Sequence, residues 1–250
     1  MRERPRIRLA AAGDIHCREA IRDELTTSFA EVDGDVDLIL LAGDLTTHGE
    51  PEEAQILAEI CRPLATPVLA VLGNHDWHAD RRDDLVGVLE AAGIAVLDPG
   101  HRVLEVRGCE VGVAGTKGFV GGFPGSHLTD FGEPLLRQVY AATTDEVDAL
   151  DKALRAIASC PFRIALLHYA PTAETLQGEA GGIWAFLGSD RLAAPIRVYE
   201  PDLVLHGHAH SGSFRGDVGG VPVHNVSVPL MGEAFWLYEL ELRGAVAGVH

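Results

Sequence analysis

The chain has 250 residues, 47% of them hydrophobic, with four cysteines and a formal net charge of −17. This composition supports a substantial buried core, and no apolar stretch is long enough to cross a bilayer. The acidic balance disfavours non-specific binding to nucleic acid or anionic lipid, both of which need a cationic surface.

The N-terminal "MRERPRIRLAAAGDIH" is basic and then apolar, but it runs into Asp14 and His16 where a signal peptide would carry a cleavage site, so it reads as a first strand. The amphipathic "REAIRDELTTSFAEV" follows, then the apolar "DLILLAG", the helical "PEEAQILAEICRPL", the apolar "PVLAVLG" and the helical "RRDDLVGVLEAAG". Continuous apolar strands alternating with helices predict βαβ units whose sheet is buried on both faces. "IAVL", "RVLEVR" and "EVGVAG" read as shorter strands, "DEVDALDKALRAIAS" as a helix and "RIALLHY" as a strand. After "PDLVLHGHAH", the segments "GVPVHNVSV" and "AFWLYELEL" also read as strands. Strands thus cluster in both halves, predicting two stacked sheets with helices outside, in one domain over residues 1–250. Cys17, Cys61, Cys109 and Cys160 form no CxxC pair, so we expect reduced, mostly buried thiols and a cytoplasmic protein.

Each of the first three βα units ends its strand in a polar cluster: "GDIH" with Asp14 and His16, "GDLTTHG" with Asp44, "GNHDWH" with Asn74, His75 and Asp76. Asp14, Asp44 and Asn74 are spaced 30 residues apart, about one βαβ unit. Successive parallel strands would therefore deliver them to one sheet edge, where ligand sites of open α/β sheets lie. "RIALLHY" ends at His168, and "LVLHGHAH" ends at His208 and His210. A single Gly-Asp after a strand is commonly only a turn. Five strand ends all carrying oxygen and imidazole donors indicate a metal site suited to Mn, Fe or Zn. In an extended segment alternate side chains share a face, so His208 and His210 can point into one site. His206 shares that parity but sits further inside the strand, as a packed or supporting histidine.

Asp14-x-His16, Gly43-Asp44, Gly73-Asn74-His75-Asp76, His168 and Gly207-His208-Ala209-His210 together resemble the motif series of the calcineurin-like metallophosphoesterases, in order and with no position missing. The resemblance implies a four-layer α/β/β/α sandwich of two mixed sheets flanked by helices, with a two-metal centre. It implies one metal on Asp14, His16, Asp44 and His210, and a second on Asp44 (bridging), Asn74, His168 and His208. It further implies that His75 is the catalytic histidine beside the leaving group and that Asp76 orients it.

Two metal ions of this kind, Mn or Fe before Zn, would carry a bridging hydroxide as nucleophile and clamp a phosphoryl group for in-line displacement. The expected substrate is a small phosphate ester, a phosphodiester before a monoester or pyrophosphate. Phosphoprotein phosphatases of the superfamily carry an arginine where this chain has His48, and "GDLTTHGEPEE" is more similar to the bacterial cyclic-nucleotide phosphodiesterase branch. His48 is accordingly a candidate for hydrogen-bonding an ester oxygen. A non-catalytic scaffold of the same fold is the alternative of a different class, and the presence of His75 and every ligand argues against it. A nuclease lacks a basic track, and a metallo-β-lactamase-type enzyme would need an HxHxDH cluster that is absent. The glycine-rich residues 115–127 read equally as a mobile surface loop or an active-site lid, and residues 181–189, with Trp184 and Phe186, as a substrate wall or simple packing.

Overall fold

The computed structural model describes residues 6–241. Its strands are β1 (Arg6–Ala12), β2 (Leu38–Ala42), β3 (Val68–Val71), β4 (Ala95–Val96), β5 (Gly100–Val106), β6 (Cys109–Gly115), β7 (Gly122–Phe123), β8 (Ser126–His127), β9 (Phe162–Leu166), β10 (Leu203–His206), β11 (Arg215–Val218), β12 (Val221–Asn225) and β13 (Trp236–Glu241). The helices are α1 (Arg22–Val32), α2 (Pro51–Cys61), α3 (Arg82–Ala91), α4 (Pro134–Ala156), α5 (Trp184–Leu187), α6 (Ala193–Tyr199) and α7 (Val228–Met231).

Two mixed sheets result. The first has the order β13-β1-β2-β3-β4, parallel except for β13 at its edge. The second has the order β11-β12-β10-β9-β6-β5, parallel in its centre with antiparallel strands β11 and β5 at the edges. Strand parity sets the layering. Ile7, Leu9 and Ala11 of β1 and Leu38, Leu40 and Ala42 of β2 face Val111, Val113, Ile164, Leu166, Leu203 and Leu205 of the other sheet. The intervening Ala10, Ala12, Ile39 and Leu41 face outward onto Leu25 and Phe29 of α1, Leu57 of α2 and Leu85 of α3. On the far side Ala165 and Val204 meet Leu150 and Leu154 of α4 and Ile196 of α6. The inner strands β2, β3 and β10 are therefore buried on both faces, which is why they are nearly continuous apolar runs. The expected helix–sheet–sheet–helix layering is present.

The carboxyl ends of β1 and β2 and those of β9, β10 and β12 lie on the same side of the sandwich and are stitched together. Gly13 N–H donates to the Val226 carbonyl at 2.7 Å, and Val228 N–H donates back to the Gly13 carbonyl at 2.9 Å. A methyl group on Gly43 would lie 2.5 Å from His168 Nδ1, and one on Gly207 would lie 2.5 Å from Asp14 Oδ2. Only glycine permits so close an approach of the two edges.

Besides the short β7, β8, α5 and α7, which the sequence does not predict, three elements differ from expectation. Helix α4 begins at Pro134, well before the expected start at Asp145. Leu136, Val139 and Tyr140 continue the apolar stripe of its later turns, but these first turns lie away from the core, with Leu135 and Leu136 exposed. Proline at its first turn and the extended Glu133 before it mark the true start. Strand β11 and helix α6 also lie outside the sequence expectation; β11 is a four-residue edge strand with one buried residue, too short to alternate legibly.

Candidate metal centre

Asp14 and His16 follow β1, Asp44 follows β2, Asn74 and His75 follow β3, His168 follows β9, and His208 and His210 follow β10. Both sheets thus contribute donors to one rim. The chain turns sharply there. Asp14, His16, Asp44 and His208 have φ of 58°, 43°, 49° and 70°, a left-handed conformation that residues with a side chain seldom adopt. Backbone bonds hold the turns: Asp14 N–H donates to the Gly43 carbonyl at 2.9 Å and His16 N–H to the Asp44 carbonyl at 3.0 Å. Gly73 leaves room for Asp44, since a Cβ there would lie 2.1 Å from Asp44 Oδ1.

The donors form three overlapping sets: Asp14, His16 and His210; His16, Asp44 and His75; Asp44, His168 and His208. Within each set the ligand atoms lie within 4.8 Å of one another. Asp44 belongs to two sets, and Asn74 Oδ1 lies 3.0 Å from His168 Nε2. All seven anticipated ligand residues are brought together.

Proton positions follow from the partners. His168 Nδ1 is 2.9 Å from the Ala42 carbonyl, which only accepts, so Nδ1 carries the proton and Nε2 a lone pair. That lone pair faces Asp44 Oδ1 at 3.4 Å and Asn74 Oδ1 at 3.0 Å. Burial pushes the His168 pKa down to about 4, so a second ring proton does not relieve the repulsion. His208 Nε2 donates to the Phe186 carbonyl at 3.2 Å, leaving Nδ1 unprotonated, and burial pushes its pKa down to about 3. His16 Nδ1 is buried with no hydrogen-bond partner among the described residues. Converging lone pairs and an orphaned imidazole nitrogen are what a bound cation satisfies, so these residues fit a metal pair.

The carboxylates show the same demand. Burial alone would raise Asp14, but the His210 hydrogen bond at 3.0 Å and the nearby His168 hold it well below the ordinary carboxylate range. Its Oδ2 also accepts from His208 N–H at 2.8 Å. Burial, and then the Asp14 charge, push Asp44 up to about 6. The Asp14 hydrogen bond raises His210.

His75 lies beside this cluster, its ring 4.6 Å from that of His16. Nδ1 donates to the Thr47 carbonyl at 2.7 Å, which leaves Nε2 facing the site, 3.9 Å from Asp44 Oδ2. This corrects the expectation for Asp76: the structure gives His75 the Thr47 carbonyl as its orienting partner. Asp76 is fully buried and accepts from Leu45 N–H, Thr46 N–H, the Thr46 hydroxyl and Gly73 N–H, at 2.7–3.1 Å. It staples the β2 turn to the β3 turn. The exposed ring of His48 pairs through Nδ1 with Glu53 at 2.9 Å, and Glu53 also accepts from Thr47 N–H and His48 N–H, so the pair secures the loop carrying the Thr47 carbonyl. His206 is fully buried, bonded to the Gly207 carbonyl and the Thr175 hydroxyl.

The glycine-rich residues 115–127 are neither wholly a surface loop nor a lid. Thr116, Lys117 and Phe123 are buried, and only the β7–β8 tip is exposed. Lys117 and Tyr169 line a cavity that Asn74 also borders; no motif spacing marked either, although Lys117 is one of only two lysines. Phe186, in the 181–189 segment, touches the site through its carbonyl.

Two outcomes follow from these contacts. Asp76→Ala strands four donors, and at about 1–3 kcal/mol per buried unsatisfied group the loss of stability should be on the order of 3 kcal/mol or more in denaturant unfolding. A loss below about 1 kcal/mol would mean the turns are held otherwise. Metal binding to chelator-treated protein should release protons at about pH 5.5, from Asp44, which is protonated below about 6, and from His210, which Asp14 raises; both must lose a proton to bind a cation. His168 and His208 are already neutral there. Affinity should climb as pH rises through about 6, and calorimetry in buffers of different protonation heat counts the protons. An equal count at about pH 7.5 would contradict the assignment to Asp44.

Residues 7–212 match the family model described as calcineurin-like phosphoesterase. No curated protein matches the chain significantly. Among solved structures, phosphopantetheinyl hydrolase from Mycobacterium tuberculosis superposes with a TM-score of 0.69 at 16% identity, over 97% of this chain and 98% of that one. TT1561 of Thermus thermophilus gives 0.61 at 20% identity, over 96% and 100%. GAP50, described as the anchor in the inner membrane complex of Plasmodium, gives 0.58 at 14% identity, over 98% and 88%. At such identities these likenesses show the shared fold. The family match over most of the chain goes further: this protein belongs to the calcineurin-like phosphoesterases, metal-dependent hydrolases of phosphoesters.

Proposed function

We propose that this protein hydrolyses phosphodiesters of small metabolites, cyclic nucleotides among them, in preference to phosphomonoesters, at a centre of two transition-metal ions. Asp14, His16, Asp44 and His210 hold one ion; Asp44, Asn74, His168 and His208 hold the other, with Mn and Fe the best-suited metals. The observation that carries the reading is the overlap of donor sets on Asp44, with donors from both sheets around it. Because each sheet supplies part of the centre, the chain acts as a single catalytic domain. Four free thiols, three of them buried, favour the cytoplasm; among the described residues no helix is long and apolar enough to cross a membrane.

When bound, the ion pair draws in phosphoryl oxygens and lowers the pKa of water toward neutrality. The protein's own groups do the rest. Asn74 contributes an oxygen without adding negative charge. The Thr47 carbonyl fixes the His75 ring, so that Nε2 is held facing the site and can protonate the departing ester oxygen. Gly43 and Gly207 keep the two sheets' donors within reach of each other.

Charge decides the substrate preference. A diester is a monoanion near neutral pH, whereas a monoester approaches a dianion and gains from a guanidinium fork. Beside the site, Lys117 is a single ammonium that also pairs with Glu146 at 3.4 Å and offers no guanidinium fork, and Arg18 turns Nη1 to the His16 carbonyl at 3.4 Å. A non-catalytic role such as the anchor function named for GAP50 would need none of this chemistry, and the complete donor set with His75 speaks for hydrolysis.

His75→Ala should retain bound metal while turnover falls by about 10²–10⁴-fold, less for esters of acidic alcohols such as nitrophenol that leave without protonation. Equal losses across leaving groups would refute the role. With Mn²⁺ added, bis(4-nitrophenyl) phosphate should show the higher kcat/KM than 4-nitrophenyl phosphate, and chelation should abolish both activities. A preference for the monoester would show the charge argument to be wrong.

A further inference from the structure

A cavity of about 430 Å³ opens beside the metal donors, with Asn74 forming part of its wall. Its other walls include Trp77, Phe119 and Tyr169, together with Lys117 and Glu146. Its size falls within the range of small-molecule sites, about 300–1,000 Å³, and its composition is unlike that of the metal rim. Three aromatic side chains offer flat apolar surface, and two of them, Phe119 and Tyr169, stand 5.9 Å apart edge to face.

The polar pair in this wall is specific in its chemistry. Lys117 is buried, its ammonium 4.4 Å from the Phe119 ring centre and 5.2 Å from that of Tyr169. It donates to the Gly118 carbonyl at 2.7 Å and approaches Glu146 Oε1 at 3.4 Å. An ammonium has three N–H bonds, so one remains for a ligand. Glu146 Oε2 accepts from the Thr116 hydroxyl and from Gly118 N–H at 3.0 Å, which fixes the carboxylate and leaves Oε1 with lone pairs to spare. A donor and an acceptor therefore stand side by side against aromatic walls.

We infer that this cavity is the subsite for a nucleobase carried on one arm of the phosphoester, stacked on the aromatic walls and read along its edge by Lys117 and Glu146. A plain alkyl or phenyl arm would leave the Lys117 N–H without an acceptor in a mostly apolar cavity, and unmade bonds of that kind weaken binding. A heteroaromatic edge that both accepts and donates satisfies the pair, and base–aromatic stacking is independently favourable. The larger basin adjoining through Trp77 and Glu146 has Trp77 as its one aromatic wall and is lined mostly by charged residues, Arg82 paired with Asp83 and Asp98 and Arg81 with Asp84.

This inference rests on the site being a phosphoester hydrolase, and the test separates the two. Calorimetry on the full chain, with chelator present to stop turnover, compares adenosine 5′-monophosphate with ribose 5-phosphate. The nucleotide should bind at least about tenfold more tightly. Lys117→Met and Phe119→Ala should each collapse that ratio, whereas Lys117→Arg, which keeps a charged donor, should preserve most of it. Equal affinities for the two ligands, or a ratio unmoved by Lys117→Met and Phe119→Ala, would overturn the subsite. Hydrolysis of adenosine 5′-(4-nitrophenyl phosphate) and ethyl 4-nitrophenyl phosphate is assayed separately with Mn²⁺. A base-dependent affinity with neither ester hydrolysed would overturn the hydrolase reading and leave the subsite standing.

Discussion

The chemistry of this protein depends on how closely the carboxyl edges of two sheets approach. Asp14, His16, Asp44, Asn74 and His75 come from one sheet, and His168, His208 and His210 from the other. A metal pair needs ligands from both within a few ångströms, a distance at which ordinary side chains would hold the sheets apart. Glycine at 43 and 207 removes that obstacle: the His168 ring occupies the space of one missing Cβ, and the Asp14 carboxylate that of the other. The Gly13–Val226 and Val228–Gly13 hydrogen bonds then close the seam.

Such convergence is electrostatically unfavourable without cations. The carboxylates of Asp14 and Asp44 and the His168 imidazole are buried, where charge and lone pairs are poorly solvated, with the less buried His16, His208 and His210 around them. The molecule answers partly by shifting its titrations, with Asp44 raised and His168 and His208 lowered by burial. Left-handed backbone at Asp14, His16, Asp44 and His208 is a further local cost, sustained because the surrounding turns are over-determined. Asp76 supplies much of that determination, tying Leu45, Thr46 and Gly73 together from beneath. Its importance is therefore mechanical: it sets the loop from which the Thr47 carbonyl orients His75.

Related folds serve different ends, as the names of the hydrolase from Mycobacterium tuberculosis and the anchor from Plasmodium indicate. The sandwich itself does not select between them. Selection lies with the side chains at the rim and in the cavity beside it, where Lys117 and Glu146 meet three aromatic rings.

The sequence by itself determined the layers and the donor inventory. Strands buried on both faces are continuous apolar runs, helices keep their period, and regularly spaced βα units put Asp14, Asp44 and Asn74 at equivalent strand ends; each of these signals is local and survives in one dimension. It did not determine which partners those donors would find. Asp76 follows His75 directly, yet its carboxylate turns to the backbone of a loop about 30 residues earlier. His48 sits in a motif loop, yet is engaged by Glu53. Lys117 and Tyr169 belong to no motif and still border Asn74. The His48–Glu53 pair closes locally, within one stretch of chain. The Asp76 bonds join neighbouring turns of one sheet, and the Asn74 cavity joins one sheet to the other; these are contacts between segments far apart in the chain, and only tertiary packing decided them.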